Sequence, residues 1–242
     1  MTKQLIYLPV FALFLLFSLQ CSSQNKGAIN GEGEIVKKEI SLADINGFDF
    51  GLSGDVILTQ GSPQKIVLEG QQNIIDNITQ EVKNGWWHIG FIKNVRNSKN
   101  ITIHLTVQDI NKVALTGSGS IRAANKFTGL DDVELDIRGS GNIVFDYEAN
   151  ATDASLTGSG TMKLSGNSNR LTVSITGSGD VMAGDLVTES CDVDISGSGN
   201  ATVNASNKLA TDITGSGDVR YSGNASVDAH VTGSGQVTKI QQ

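Results

Sequence analysis

The sequence predicts an all-β fold, a right-handed parallel β-helix-like solenoid, from a repeat, an apolar alternation and a composition poor in aromatic residues. The tripeptide Gly-Ser-Gly occurs seven times between Val113 and Gln242, at spacings of 18–22 residues. A repeat of this length is typical of a solenoid, in which each coil packs only on its neighbours. Aromatic residues make up 5% of the chain, which suits a narrow core. The repeat glycines are Gly117, Gly119, Gly139, Gly141, Gly158, Gly160, Gly177, Gly179, Gly197, Gly199, Gly215, Gly217, Gly233 and Gly235.

Apolar residues alternate with polar residues on both sides of each Gly-Ser-Gly. Two positions before the first glycine the residue is Leu, Ile or Val in all seven copies, and four positions before it is apolar in six. This period of two predicts strands with one buried face, and the β-branched residues in these columns also favour strands. Each unit is therefore predicted as strand, Gly-Ser-Gly bend, strand and polar turn, the last exemplified by residues 165–169.

Glycine at the bends is expected to let successive coils approach each other closely. Without a Cβ atom it reaches positive φ, and stacked coils are joined by backbone hydrogen bonds at a rise of about 4.8 Å. If like positions stack, the seven serines form one ladder of hydroxyl groups, and the mostly Thr residues before each first glycine form a second. Stacked hydroxyl groups can hydrogen-bond to one another.

Residues 1–20 are predicted to be a signal peptide, since Leu5–Leu19 is almost unbroken apolar and too short for a membrane span. Cys21 follows at once and is the predicted lipidation site of a bacterial lipoprotein, with residues 21–30 as lipidated cysteine and flexible tether. The lipid would make the membrane a partner and place the chain in the outer membrane, at the cell surface or facing the periplasm. Gln20 departs from the small residue usual before such a cysteine, and ordinary signal cleavage is the alternative.

Residues 31–242 are predicted to form a single solenoid domain. Within it, 31–112 supply irregular amino-terminal coils and a cap, and 113–242 supply the regular coils. The segment Phe48–Val56 already follows the later pattern, with Leu52 in place of the first glycine. A cap is expected because an open coil end is a strand edge that can recruit another chain.

The composition limits the partners and cofactors. The net charge of −7 disfavours nucleic acid as a partner. The other cysteine is Cys191. It alternates with polar residues in step with Val193 and Ile195, so its side chain is expected to point inward with theirs and to be buried. Disulfide and metal-type cysteine spacings are both absent from the sequence, and we expect no cofactor and no metal site.

Catalytic residues are not predicted. Polysaccharide-acting enzymes with β-helix folds need clustered carboxylates with basic residues on one face, and the repeat columns do not show such a cluster. Asp194 and Asp212 fall one coil apart in one outward column, where they would repel unless water or a cation lies between them. The three histidines, His88, His104 and His230, show no ligand spacing.

Trp86 and Trp87 are the two tryptophans of the chain and are candidate ligand contacts. On a strand, adjacent residues point to opposite faces, so one is expected to pack in the core or cap and the other to be more exposed. An exposed tryptophan could stack on a sugar or on a partner. The alternative is that both pack against the cap.

The order of the amino-terminal segments, followed by serial Gly-Ser-Gly units, resembles the putative auto-transporter adhesin family with the head GIN domain. The segments are Phe48–Gly61, Lys65–Gly70, Ile74–Val82, Asn84–Ile89 and Ile101–Val107, and the resemblance extends from about Ile45 to Lys239. It implies an exported β-helical protein of Bacteroidetes-type bacteria, with no catalytic residues to carry over. The chain departs from the family pattern at Trp86-Trp87, where a single aliphatic residue is more usual.

These observations predict a non-catalytic cell-envelope lipoprotein, an adhesin-like binding or structural module with a polar solenoid face. Its partner would be a glycan or an envelope or matrix protein. The alternatives are a polysaccharide-acting enzyme on a β-helix scaffold and a periplasmic scaffold without an adhesive role. The sequence leaves open whether the carboxy-terminal coil docks on another copy.

Overall fold

The computed structural model describes residues 27–241, which form 19 strands and one four-residue helix. The lone helix is far too short to cross a membrane, and the described residues hold no other candidate span. The predicted signal peptide and the predicted lipidation site, Cys21, lie outside the described residues. The amino-terminal elements are β1 (Ile29–Asn30), β2 (Ile35–Ile40), β3 (Gly47–Phe50), β4 (Asp55–Gln60), β5 (Lys65–Gln71), α1 (Gln72–Ile75), β6 (Val82–Lys83), β7 (Trp86–Ile89), β8 (Val95–Asn97) and β9 (Thr102–Val107). The remaining strands are β10 (Lys112–Gly117), β11 (Ser120–Ala123), β12 (Phe127–Gly139), β13 (Asn142–Gly158), β14 (Thr161–Gly177), β15 (Asp180–Gly197), β16 (Asn200–Gly215), β17 (Val219–Ser222), β18 (Ser226–Gly233) and β19 (Val237–Lys239).

The regular coils stack in parallel with like positions paired, which confirms the predicted solenoid. Leu156 pairs with Ile175, Ile175 with Ile195, and the first glycines of successive repeats pair with one another. Four of the coils, β13 to β16, are single strands of 16–18 residues that run from one Gly-Ser-Gly to the next.

The polar turn predicted at residues 165–169 is instead part of β14. Residues 165–168 pair one by one with residues 146–149 of the previous coil, so the backbone ladder continues around the bend. Gly166, with a φ of 109°, changes the chain direction there. A bend whose residues keep their partners in the next coil is not a loop, because its backbone groups are satisfied by the ladder rather than by a local turn.

The coils of the amino-terminal part are not stacked in sequence order. Strands β3 and β4 pair in parallel with β10 and β11 on one side. On their other side they pair in parallel with β7 and β9, which come later in the chain than β3 and β4. The first coil, formed by β3 and β4, therefore lies between the second coil, formed by β7 and β9, and the first regular coil, formed by β10 and β11.

Antiparallel strands cap this end of the solenoid. Strand β5 pairs antiparallel with β9, β2 pairs antiparallel with β5, and β6 covers part of β7. Residues 29 and 30, which the sequence assigns to a tether, form β1 and pair with β8.

The core is one continuous column of inward side chains. Near the middle of the column, on β12 and β13, it also contains three aromatic rings, in which the Phe145 ring centroid lies 5.1 Å from that of Phe127 and 5.0 Å from that of Tyr147. Cys191 is buried in this column, as its phase predicts. Burial raises the pKa of its thiol to about 12, so it is not a reactive nucleophile at neutral pH.

The Gly-Ser-Gly bends hold successive coils at backbone contact distance. The Ser178 N–H donates to the Gly158 carbonyl at 2.9 Å, and the Asp180 N–H donates to the Gly160 carbonyl at 3.1 Å. A Cβ on Gly177 would lie 2.5 Å from the Gly158 oxygen, and one on Gly179 would lie 2.6 Å from the Gly160 oxygen. Both glycines are thus required by the contact with the coil below, and Gly177 also has a φ of +121°.

We expect Gly177→Ala to lower the free energy of unfolding by about 3 kcal/mol or more, since it adds a backbone clash to a strained φ. Gly117→Ala is the matched control, because Gly117 has a φ of +124° but no atom within 4 Å of its added Cβ. It should lose about 1 kcal/mol from backbone strain alone. Urea unfolding of both variants measures the difference, and equal losses would show that the clash between coils contributes nothing.

Candidate functional site

One side of the solenoid is a flat parallel sheet of nine strands, which we call the polar face. Its strands, in spatial order, are β7, β3, β10, β12, β13, β14, β15, β16 and β18. At the usual strand spacing it is about 38 Å long. Because like positions pair, its outward side chains form straight rows across the coils.

Two of these rows carry most of the ionisable groups of the polar face. The first contains Trp86, Gly47, Lys112, Glu134, Asp153, Thr172, Asp192, Ala210 and Asp228. The second contains His88, Asp49, Ala114, Asp136, Ser155, Ser174, Asp194, Asp212 and His230. A third row, toward the bends, consists mainly of Thr and Ser and is the predicted hydroxyl ladder that begins at Thr116.

Trp86 lies at the amino-terminal end of the first row and is half-buried. Its neighbour in the row is Gly47, and a Cβ there would lie 2.8 Å from the indole ring, so the ring extends over the glycine backbone. Across Gly47 the ring meets Lys112, whose Nζ lies 5.6 Å from the ring centroid, within cation–π range. One side of the ring also borders a hollow of about 240 Å³ that Thr79, Glu81, Lys83 and His88 help to line.

Trp87 is fully buried, and this removes it from the predicted pair of ligand contacts. Its indole N–H donates to the Thr79 carbonyl at 2.8 Å, and it pairs in the core column with Phe48. Strand alternation explains the contrast, because Trp86 and Trp87 point to opposite faces of β7.

A polar groove of about 450 Å³ crosses four strands of the polar face, from β10 to β14. Lys112 lines it, which places the groove beside Trp86. Its other charged lining residues are Asp132, Glu134, Asp153 and Arg170. Lys112 pairs with Glu134, while Arg170 has no ion pair among those described, so the groove offers one cation and several carboxylates to a ligand.

The sequence analysis missed this groove. Its residues come from Asn111 to Thr172, and they meet only because the register stacks one coil on the next. The outward columns do contain these residues, so a register drawn from the repeat could have found the mixture of charges. It could not have found Gly47 beneath Trp86, because β3 lies next to β7 only through the coil order of the cap.

His88, Asp49 and Thr116 form a hydrogen-bonded cluster at the edge of the polar face. Asp49 accepts from Thr116 Oγ1 at 2.9 Å with one oxygen and meets His88 Nδ1 at 3.0 Å with the other. The carboxylate thus stands between the histidine and the hydroxyl group. In this arrangement the histidine cannot take a proton from the hydroxyl, so the cluster orders side chains rather than activating a nucleophile.

Asp194 and Asp212 are direct neighbours in the second row, as the sequence predicts. The pKa of Asp194 is raised, first by burial and then by the charges of Asp192 and Asp212. In the part of the chain that the structure describes, His, Cys, Asp and Glu residues form no group of three or more arranged to hold a metal ion. The charge of Asp212 contributes to the raised pKa of Asp194, so the two neighbouring carboxylates repel each other.

The fold and this face together define a parallel β-solenoid protein that presents one long, flat, polar surface. A family model described as "Putative auto-transporter adhesin, head GIN domain" matches residues 44–225. The chain belongs to this family, and an adhesin-like family indicates an exported or surface protein. There is no match among the curated proteins.

Solved structures with the same fold come from Bacteroides and Parabacteroides species. A putative adhesin from Bacteroides fragilis NCTC 9343 is 24% identical, with a TM-score of 0.81, and the match covers 88% of this chain and 100% of that one. A putative lipid binding protein from Parabacteroides distasonis ATCC 8503 is 23% identical, with a TM-score of 0.75 and the same coverage. A putative adhesin from Parabacteroides merdae ATCC 43184 is 22% identical, with a TM-score of 0.71, covering 89% and 100%. At this identity the likeness shows the fold alone.

We expect Asp194→Asn to stabilise the fold by about 0.5 kcal/mol at pH 7, because it removes a like-charge contact between neighbouring strands. The raised pKa means that the folded chain holds the proton more tightly than the unfolded chain, so ionisation of Asp194 destabilises the fold as the pH rises. The stabilisation of the fold by Asp194→Asn should therefore vanish when the pH falls below the ordinary aspartate pKa of 3.8. Melting temperatures across this pH range measure it.

Asp185→Asn serves as the control, since Asp185 is an exposed carboxylate whose ladder partner is Ser165. It should leave the melting temperature unchanged. A calcium-dependent rise in the melting temperature of the wild-type chain, lost in Asp194→Asn, would instead show that the Asp194–Asp212 pair holds a cation.

Proposed function

We propose that this protein is a non-catalytic cell-envelope lipoprotein whose polar face binds an extended, hydroxyl-rich ligand, a glycan. The observation that carries the proposal is Trp86, a half-buried indole beside a charged groove that crosses four coils. A flat aromatic ring next to polar groups suits the apolar face and hydroxyl rim of a sugar. The family and the relatives named as adhesins support a binding role.

The groove is suited to a chain-like ligand rather than to a compact one. It follows the solenoid axis over about 14 Å, three strand spacings, which matches a few sugar units in a row. Its lining of carboxylates, Arg170 and the Thr172 hydroxyl group offers both donors and acceptors. The hydroxyl ladder beside it continues the same chemistry along the rest of the face.

Support for a non-catalytic role comes from how the polar groups of the face are used. His88 is held by Asp49, and Lys112 is paired with Glu134. Asp136 is buried and faces Arg138, whose Nη2 lies 2.5 Å from its Oδ2. These contacts engage His88, Lys112 and Asp136, three of the polar groups that acid–base chemistry on a polysaccharide could use.

Trp86→Ala is expected to weaken glycan binding about tenfold, the effect of losing one aromatic stacking contact. The chain from Ser22 onward, which contains all described residues, would be applied to an array of bacterial and host polysaccharides. Any glycan that binds would then be titrated against each variant by calorimetry. Arg170→Ala should weaken the same interaction through loss of its donors.

The matched control is Met182→Ala, which removes an exposed apolar side chain beyond the bend and away from the polar face. It should bind like the wild-type chain. Equal affinity of Trp86→Ala and wild type would contradict the assigned face. Shortening of a bound polysaccharide by the wild-type chain would favour the enzyme alternative instead.

The lipid anchor on Cys21 is part of the proposal and has its own test. In cells fed a labelled fatty acid, the wild-type chain is expected to carry the label and to sediment with membranes. Cys21→Ser should abolish both, because it removes the thiol that carries the lipid. Cys191→Ala, a change of the other cysteine of the chain, is the control and should keep the label. Persistent labelling of Cys21→Ser would disprove the anchor.

Protease treatment of intact cells distinguishes the adhesin from the internal scaffold. An adhesin should lose its solenoid domain to external protease, while a periplasmic scaffold should be protected until the cells are lysed.

A further inference from the structure

The carboxy-terminal coil of the solenoid has an open edge. Strand β18 pairs with β16 on one side and has no partner on the other among the described strands. All eight of its residues are exposed. Its inward residues Val227 and Val231 are each 37% exposed, whereas Leu209 and Ile213, their neighbours one coil earlier, are 0% exposed. The apolar core column therefore continues to this end without cover.

The other end of the solenoid is protected against further pairing. The last parallel strands there are covered by β5 and β2, which run antiparallel. The outer strand β2 carries Lys37 and Lys38, which pair with Glu69 at 3.2 Å and Asp76 at 2.6 Å. Lysines on an edge strand discourage pairing with another chain. Strand β18 contains neither lysine nor proline and is suited to an added strand, while Lys239 of the same coil lies on β19.

The sequence of β18 is complementary to itself in one antiparallel register. If Ala229 lies opposite Ala229 of a second copy, Asp228 lies opposite His230, and Val227 lies opposite Val231. The two-fold symmetry repeats both contacts. The dimer would therefore contain two Asp228–His230 pairs on the outward face of the sheet and two Val227–Val231 pairs on its inward face. Directly opposite residues in antiparallel strands are close enough to interact in this way.

Neighbouring registers are unfavourable. A shift by two residues in one direction places Asp228 opposite its own copy, and a shift in the other direction places His230 opposite its own copy. A shift by one residue exchanges the inward and outward faces and exposes the valines. The alternating residues of β18 therefore select a single register, which is what a specific isologous contact requires.

We propose that a second copy of this chain occupies this edge, so that two solenoids join tail to tail through antiparallel β18 strands about a two-fold axis at Ala229. Because the axis is perpendicular to the sheet, inward residues remain inward and the two cores become continuous. Both polar faces then point to the same side. If the polar face binds glycan as proposed above, the dimer presents two sites to one ligand or surface, which strengthens attachment by avidity.

Disulfide trapping tests the register directly. In the chain from Ser22 onward, Ala229→Cys places two thiols on the two-fold axis, with Cα atoms about 5 Å apart, the distance that a disulfide spans. Oxidation with copper phenanthroline should yield a covalent dimer on a non-reducing gel. Ser226→Cys is the matched control on the same exposed strand, and its thiols would lie about 20 Å apart in this register. Cys191 is buried and should not react.

A charge exchange tests the same contact without cross-linking. Sedimentation of the wild-type chain is expected to show a reversible dimer. Asp228→His and His230→Asp each place like groups opposite one another in both symmetric contacts, and each should weaken the dimer about tenfold. The double variant with both changes restores opposite pairs and should restore the dimer. Both changes are on exposed side chains, so all three variants should fold. Variants with His230→Asp gain a carboxylate beside Asp212 and should melt at a slightly lower temperature.

The proposal is overturned by any of three results: a wild-type chain that stays monomeric at millimolar concentration, equal cross-linking of Ala229→Cys and Ser226→Cys, or a double variant no better than the single ones. Trp86→Ala changes a residue at the opposite end of the polar face from β18, so it should lower glycan affinity and leave the dimer intact. Loss of the dimer and failure of the glycan proposal are therefore distinguishable.

Discussion

Backbone hydrogen bonding between coils at the Gly-Ser-Gly bend is the contact on which the rest of the structure depends. Six of the seven bends donate a serine N–H to a glycine carbonyl of the coil below, as Ser178 does to Gly158 at 2.9 Å. Glycine is needed because a Cβ would occupy the place of that carbonyl. Since the bend allows one alignment of neighbouring coils, the residues next to it pair with their counterparts, and the core column and the outward rows follow from this alignment. Farther from the bend the register shifts, as between Ala183 and Val187.

Strict stacking has an electrostatic consequence for the polar face. It brings like residues together, and where these are carboxylates, as at Asp194 and Asp212, they repel. Most of the remaining rows avoid this with hydroxyl groups or with opposite charges, as at Lys112 and Glu134. The same stacking brings Trp86 next to a glycine and a lysine, which leaves part of its ring accessible. A ligand-binding surface can thus arise from the rows without any loop that forms a pocket.

The two ends of the solenoid differ in how easily their last strand can pair with a strand of another chain. The amino-terminal end leaves the parallel pattern and ends in antiparallel strands with lysines, which prevents growth in that direction. The carboxy-terminal end keeps the parallel pattern to its last coil and leaves Val227 and Val231 partly exposed. This asymmetry permits association at one end and so favours a closed pair over an open fibre.

The sequence by itself determined the solenoid, its register in the regular coils, the inward phase of Cys191 and the opposite directions of Trp86 and Trp87. These follow from local properties, namely a period of two and a glycine bend that repeats. The tertiary structure alone decided that residues 165–168 stay in the ladder, that β3 lies between β7 and β10, and that Trp87 is enclosed while Trp86 covers Gly47. The groove from Lys112 to Arg170 also belongs to this second group. Its residues are distant in the chain, and contacts between coils depend on which coil lies beside which, information that no local pattern carries.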